Sequence, residues 1–502
     1  MKNLSSDEKN KRYFCTEHLK ADLKGRSVRS GAATIAGQVG KFSLQTTATV
    51  VMARLLTPED YGLFGMVTVI TNFAVLFNDL GLSTATIQKA QIDHRQVSTL
   101  FWINVALGCS VALIVAALAP AVAWFYDEPR LTGIMLGLSL NFIFSGLTVQ
   151  HNALLKRQMC FATLARIQII SMFTTVVTGI IFALCGLGYW ALIFMQWVGA
   201  FTYLIGVWVA CGWRPGLPVK GSGIASMLAF GGNVTGFKIV DYWTRSLDNL
   251  LIGRYWGPQE LGLYAKAYQL LLMPIRQINN PMTSVALPAL SSLQSEPQRY
   301  RAFYCKAILS ITTLGMPIAA LMFASADKVI LLMLGKDWLG AVPLFRLLMP
   351  AAFVGTLNVA TGWICQSLGT TDRQLRAGLI TSTIVSIIFL ISVRWGTTAV
   401  AAAFGLSQPI LVLFAIIYCY KGTPLRLSDL ASTIYRPALA SIGAAAILMS
   451  IQDFLPTAIN IAISLLVDFV LYGFFYIAIW MVLPKGRQTL VELLSTFKSL
   501  KK

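Results

Sequence analysis

Fourteen apolar stretches, each about long enough to cross a bilayer as helix, take up most of this 502-residue chain. A hydrocarbon core about 30 Å thick needs roughly 20 predominantly apolar residues in α-helix. Such stretches lie at 30–54, 60–80, 97–125, 131–154, 161–184, 188–211, 224–252, 260–284, 302–324, 340–367, 374–393, 397–419, 430–452 and 458–482. The third, sixth and fourteenth are plain, and the first and seventh are the most polar. The connections are short, so no soluble domain fits between spans. The expected fold class is an all-α integral membrane protein with 14 transmembrane helices.

Charge supports this reading by its scarcity and by its placement. Charged residues make up 12% of the chain, against about 25% in soluble domains, too few to solvate several soluble domains. The net charge is nevertheless +19, from 40 Lys and Arg against 21 acids. In a soluble chain that excess would point to nucleic acid. Here position decides. With the N-terminus inside, the inner side holds 26 basic residues and the outer side six: Arg54, Arg130, Arg254, Lys328, Lys336 and Arg394. That asymmetry follows the positive-inside rule. It predicts that both termini are cytoplasmic and excludes a nucleic-acid partner. Eight further basic residues fall at membrane depth.

The tails are expected to be cytosolic. Residues 1–29 contain no apolar run, so they do not read as a signal peptide. In the tail 485–502, Leu490, Val491, Leu493, Leu494, Phe497 and Leu500 share a helical face beside Lys498, Lys501 and Lys502. That face suits the inner leaflet, and a loosely ordered tail fits equally well. Eight cysteines form no CxxC pair and read as small packing residues, and three histidines share no metal-ligand spacing. No metal or other cofactor is implied. No phosphate-binding loop or hydrolase motif is present, so the chain does not read as an enzyme.

A long-period repeat organises the spans. Arg54, Pro58, Asp60, Gly62, Leu63 and Phe64 recur 200 residues later as Arg254, Pro258, Glu260, Gly262, Leu263 and Tyr264. Each copy is an outer turn between two spans. Thr57 or Gly257 is placed to cap the following helix, with proline at its first position, where no amide is left unsatisfied. Asp60 and Glu260 sit where a capping-box acid belongs. Six spans separate the copies, an even number, so the two halves have the same orientation. The expectation is two parallel six-helix lobes related by a pseudo-twofold along the membrane normal. They would occupy residues 30–211 and 224–419, with two extra helices at 430–482.

The basic residues at membrane depth are expensive there and usually face a protein-lined cavity. Lys238, Asp241, Arg245 and Asp248 share one face of the seventh span. Gln38, Lys41 and Gln45 hold the corresponding face of the first. The eighth span carries Lys266, Gln269, Arg276 and Asn280, and the tenth carries Arg346. Lys238 with Asp241, and Arg245 with Asp248, can be structural pairs. Lys41, Lys266, Arg276 and Arg346 have no acid within helical reach on their own spans. Cations lining a cleft favour an anionic cargo, either a lipid-linked diphosphate or a smaller organic anion. Asp79 reads as a cap or an ion-pair partner near the inner end of its span, and Asp468 stands isolated.

Several motifs, taken in order, resemble a known family. They are Arg54, Pro58, Asp60, Tyr61 and Gly62; Asn78, Asp79, Gly81 and Leu82; Leu100, Trp102 and Asn104; Asp248, Asn249, Gly253 and Arg254; Leu263, Tyr264, Lys266 and Tyr268; and Gly335, Trp338, Pro343 and Arg346. The pattern resembles the Wzx-type oligosaccharide flippases, colanic-acid branch, in the polysaccharide transporter family of the multidrug/oligosaccharidyl-lipid/polysaccharide (MOP) superfamily. The resemblance implies a bacterial inner-membrane protein. Such a protein moves an undecaprenyl-diphosphate-linked oligosaccharide from the cytoplasmic to the periplasmic leaflet by alternating access. It implies membrane lipid, a polysaccharide polymerase and export machinery as partners. It places the diphosphate on basic cleft residues, by helix, at Lys41, Lys238, Arg245, Lys266 and Arg276. Asp241 or Asp248 would carry a coupling ion or form ion pairs, and Tyr242, Trp243, Tyr264 and Tyr268 would meet sugar rings or serve packing. An ion-coupled exporter of a smaller anionic solute is the alternative.

Overall fold

In the computed structural model, the described residues are Phe14 and residues 40–79, 81–89, 92–218, 225–454 and 460–490. Regular structure among them is helical throughout, with no β-strand. By packing, the chain divides into two compact units, residues 1–262 and 263–502.

The first unit contains α1 (residues 40–55), α2 (Pro58–Val75), α3 (Leu82–Gln88), α4 (His94–Tyr126), α5 (Arg130–Arg157), α6 (Phe161–Leu184) and α7 (Trp190–Ala210). It also takes the first part of α8 (Ala225–Ser292), a long helix broken at Gly257, where φ is 80° and ψ is −178°. That φ is open to glycine and strained for other residues. Helix starts follow their caps. The Asp93 carboxylate accepts from the Gln96 amide at 2.6 Å to start α4. Asp79 accepts from the Ser83 amide at 2.8 Å and from its hydroxyl, fixing the entry to α3. One end of the unit is closed by an apolar cluster of Val97, Phe101, Leu154, Leu155, Val207 and Trp213. His94 and His151 belong to that packing. The Trp213 indole donates to His94 Nδ1 at 3.0 Å, and His151 stacks on Trp208 with centroids 4.3 Å apart. Among the described residues, no group of three His, Cys, Asp or Glu could hold a metal ion.

The second unit holds the rest of α8, then α9 (Pro297–Ala324), α10 (Ala326–Met333), α11 (Ala341–Ser367), α12 (Thr371–Ser392), α13 (Thr397–Tyr420), α14 (Leu427–Gln452) and α15 (Ile461–Val482). Its main core gathers Tyr300, Tyr304, Ile311, Trp363, Ile416 and Tyr420. A second cluster joins Ala320, Ala324, Ala444, Leu448 and Tyr472, seating α15 on α14 and α9.

Among the described residues, ten helices are long and apolar enough to cross a membrane: α4 to α7, α9, and α11 to α15. They coincide with ten of the fourteen stretches expected from sequence. The other four expectations, the first, second, seventh and eighth, fall on α1, α2 and the two arms of α8. α1 has 16 described residues, and the arms of α8 carry Lys238, Asp241, Arg245, Lys266 and Arg276 along their length, which lowers their hydropathy. Gln38, the N-terminal tail apart from Phe14, and residues 491–502 lie outside the described residues.

Candidate functional site

The first copy of the repeated turn is capped through side chains. Pro58 opens α2, and the Thr57 side chain accepts from the Asp60 amide at 3.2 Å. The Asp60 carboxylate accepts in return from the Thr57 amide at 3.0 Å and hydroxyl at 2.8 Å. These bonds satisfy amides that a helix start leaves open. Replacing Thr57 by valine keeps shape and removes the hydroxyl. It is expected to lower stability by about 1 kcal/mol, seen as a fall of a few degrees in the thermal midpoint of the purified protein. An unchanged midpoint would contradict the cap's contribution.

The two copies of the turn touch. A Cβ placed on Gly62 would overlap the backbone carbonyl of Pro258, and one on Gly262 would overlap the carbonyl of Pro58. The contact is reciprocal, the arrangement expected where equivalent elements meet across a local twofold. Around it, Arg130 bonds Glu59 and Glu128, each at 2.7 Å, tying the start of α5 to the first turn of α2. The Arg130 guanidinium holds the Glu128 carboxyl below the usual carboxylate range. Arg254 lies over the Phe125 ring at 5.7 Å.

The polar residues divide by helix and by exposure. On α1, Lys41 and Gln45 are exposed. On the first arm of α8, the side chains of Lys238, Asp241 and Arg245 lie outside the described residues. Asp248 is buried, and its carboxylate accepts from the Asn249 amide at 2.7 Å. Tyr242 donates to the Val69 carbonyl at 2.5 Å, and both Tyr242 and Trp243 pack on Phe73. In the second unit, Lys266 is buried and already engaged by a neighbour. Gln269 is half-buried, while Arg276 and Asn280 are exposed. Arg346 pairs with Asp327 at 3.2 Å. Tyr264 is fully buried and stacks on Tyr268, so its ring packs the interior and is closed to a sugar.

Two features escaped the sequence reading. Asp468 is fully buried and accepts two bonds from Lys328 and one each from Ser325 and Gln452, all at 2.8 Å. The carboxylate therefore joins α10, α14 and α15. The second feature is a set of carboxamides on α11 and α12. Asn358 and Gln366 are exposed, and Gln366 donates to Gln374 at 3.5 Å. Their signal in the sequence is the spacing of four that carries Asn358, Gly362 and Gln366 along one helical face.

Comparison with known proteins places this arrangement. A family model described as "Polysaccharide biosynthesis protein" matches residues 51–343, more than half of the chain. The chain belongs to the polysaccharide biosynthesis protein family. Within reach of this family, the teichuronic acid biosynthesis protein TuaB of Bacillus subtilis (strain 168) is 25% identical over 362 residues, covering 68% of this chain and 69% of TuaB. The lipopolysaccharide biosynthesis protein WzxC of Escherichia coli (strain K12) is 24% identical over 332 residues, covering 65% of this chain and 67% of WzxC. Among solved structures, the lipid II flippase MurJ in an inward closed conformation aligns with a TM-score of 0.68 at 13% identity, over 89% of this chain and 98% of MurJ. The fold is thus that of MurJ, and WzxC is among the relatives, so the resemblance to Wzx-type proteins holds. The protein is a multi-pass membrane protein whose relatives are named for polysaccharide biosynthesis.

Proposed function

We propose that this protein flips an undecaprenyl-diphosphate-linked oligosaccharide from the cytoplasmic to the periplasmic leaflet of the bacterial inner membrane. The product would feed a polysaccharide polymerase and export machinery for exopolysaccharide, capsule or O-antigen. In this reading the chain crosses fourteen times with both termini cytoplasmic, as two like-oriented sets of six helices and a final pair. The lipid tail stays in the bilayer while the diphosphate and sugars travel along polar helices, and access alternates between the two sides. A proton or sodium gradient drives the cycle, with Asp241 the candidate carrier. Asp248, whose carboxylate accepts from the Asn249 amide, is the other candidate, or serves in ion pairing.

The observation that carries the reading is the pair Lys41 and Arg276. Both are exposed, both sit on the polar helices, and neither has a carboxylate partner among the described residues. An exposed cation at membrane depth is too costly to face lipid and is suited to an anionic cargo. The relatives' polysaccharide names and the MurJ fold support a saccharide-bearing lipid as that cargo.

Cells lacking the protein should accumulate undecaprenyl-linked repeat units with the sugars facing the cytoplasm. The double variant Lys41→Ala/Arg276→Ala should cut flipping by at least about tenfold at unchanged protein level, as expected for losing charge-assisted bonds to a diphosphate. Repeat units accumulating on the periplasmic side would instead identify a polymerase. Unchanged lipid intermediates would identify an exporter of a small anion.

A further inference from the structure

The second unit carries a row of carboxamides on α8, α11 and α12. Two contacts set the geometry. A Cβ on Gly355 would stand 3.9 Å from Ile275 Cδ1, and the Trp363 indole donates to the Thr283 hydroxyl at 3.1 Å. From 275 to 283 and from 355 to 363 the step is the same on both helices. The second arm of α8 and α11 therefore run parallel and side by side for about 12 Å.

On α8, Arg276 and Asn280 are one turn apart and exposed. On α11, Asn358, Gly362 and Gln366 follow at the same spacing, with both carboxamides exposed. Each polar face begins just beside the surface that packs on the other helix. On α8 the polar face follows the contact in the sense of the helix and on α11 it precedes it, so with the helices parallel and of one hand both faces turn to the same side of the pair. Gln374 reaches this side from α12 and accepts from Gln366. Gly362 forms the floor: a Cβ there would stand 3.5 Å from Gln374 Nε2 and 3.7 Å from Gln366 Nε2. The Gln366–Gln374 bond leaves the Gln366 oxygen and the Gln374 amine as an adjacent acceptor and donor.

We propose that Asn280, Asn358, Gln366 and Gln374 over Gly362 form a saccharide subsite, which reads the hydroxyls of an uncharged sugar in the cargo; this rests on the flippase reading. A carboxamide presents a donor and an acceptor in one plane, the complement of two neighbouring hydroxyls. Four carboxamides carry no net charge, so any bond they make to a diphosphate lacks the charge assistance that Arg276 supplies. Asn280 and Asn358 lie inside their spans, where an unmet hydrogen bond facing lipid is expensive, while Gln366 and Gln374 stand at the inner ends of theirs. Arg276 borders the subsite and meets the charged group to which the sugar is joined. Specificity for the saccharide is then built into α11 and α12, separately from affinity for the lipid diphosphate.

The test uses the full-length protein in lipid nanodiscs and two probes. One is undecaprenyl diphosphate, and the other is the saccharide-bearing lipid extracted from cells lacking the protein. The double variant Gln366→Met/Gln374→Met keeps side-chain length and removes the amides. It is expected to weaken binding of the saccharide-bearing lipid by about tenfold, the order for losing one or two neutral hydrogen bonds. Binding of bare undecaprenyl diphosphate should change by less than about twofold. Gly362→Leu fills the floor and is expected to show the same split, so either variant carries the test if the other fails to fold. Equal weakening towards both probes, or none towards either, overturns the subsite while leaving the flippase reading standing. Failure of the wild-type protein to bind either probe overturns both.

Discussion

Replacing Gly62 by alanine is expected to disrupt the contact between the two outer turns and to lower the thermal midpoint by several degrees. Gly262→Ala should do the same. In each case the added methyl would overlap a backbone carbonyl, that of Pro258 or of Pro58. A backbone carbonyl at the start of a helix cannot rotate away as a side chain can, so the helices must separate. Overpacking of this kind costs typically about 1–3 kcal/mol, and here no small local shift relieves it. Gly65→Ala is the internal control. Its methyl would stand 3.4 Å from Leu261 Cδ2, an ordinary contact with a side chain, and it should leave the midpoint near wild type. Wild-type midpoints for both Gly62→Ala and Gly262→Ala would reject the contact.

That contact marks a limit of what the sequence discloses. The repeat at an offset of 200 is visible as matching residues, and the capping role of Thr57, Pro58 and Asp60 follows from their order alone. Likeness between two turns, however, carries no information on whether they meet. The glycines read as parts of a turn, while the carbonyls they face are 196 and 204 residues away. The ten apolar helices were legible because a continuous hydrophobic run of bilayer length has few other uses. The charged positions on α1 and α8 stand out in the sequence for the converse reason, that charge in such a run is costly.

Partners on other helices were not legible. Arg346 reads as an unpaired cation because no acid lies within reach on its own helix, and its partner Asp327 belongs to α10. Asp468 looks isolated because its donors Ser325 and Lys328 lie more than a hundred residues earlier in the chain. Asn358 and Gln366 are single neutral residues in a long apolar helix, too few to lower its hydropathy. The neighbour that gives Gln366 its context, Gln374, is brought to it by another helix. Tyr264 fails in the opposite direction: an aromatic beside polar positions resembles a sugar platform, and burial makes it core.

Asp468→Ala is expected to destabilise the protein by about 3–5 kcal/mol, the usual consequence of removing one partner from a buried ion pair. The carboxylate is fully buried, whereas Lys328 retains 18% side-chain exposure. Without the carboxylate, the Lys328 ammonium, the Ser325 hydroxyl and the Gln452 amide all lose their acceptor at once. The double variant Asp468→Leu/Lys328→Met removes both charges and restores apolar volume. It should regain much of the loss, because replacing a whole buried pair by well-packed apolar groups is often close to neutral. Thermal midpoints of wild type, Asp468→Leu, Lys328→Met and the double variant in one detergent form the cycle. A double variant as unstable as the summed singles would show that the pair is not coupled. A stable Asp468→Ala variant would show that α15 is held by the apolar seam of Ala444, Leu448 and Tyr472 alone.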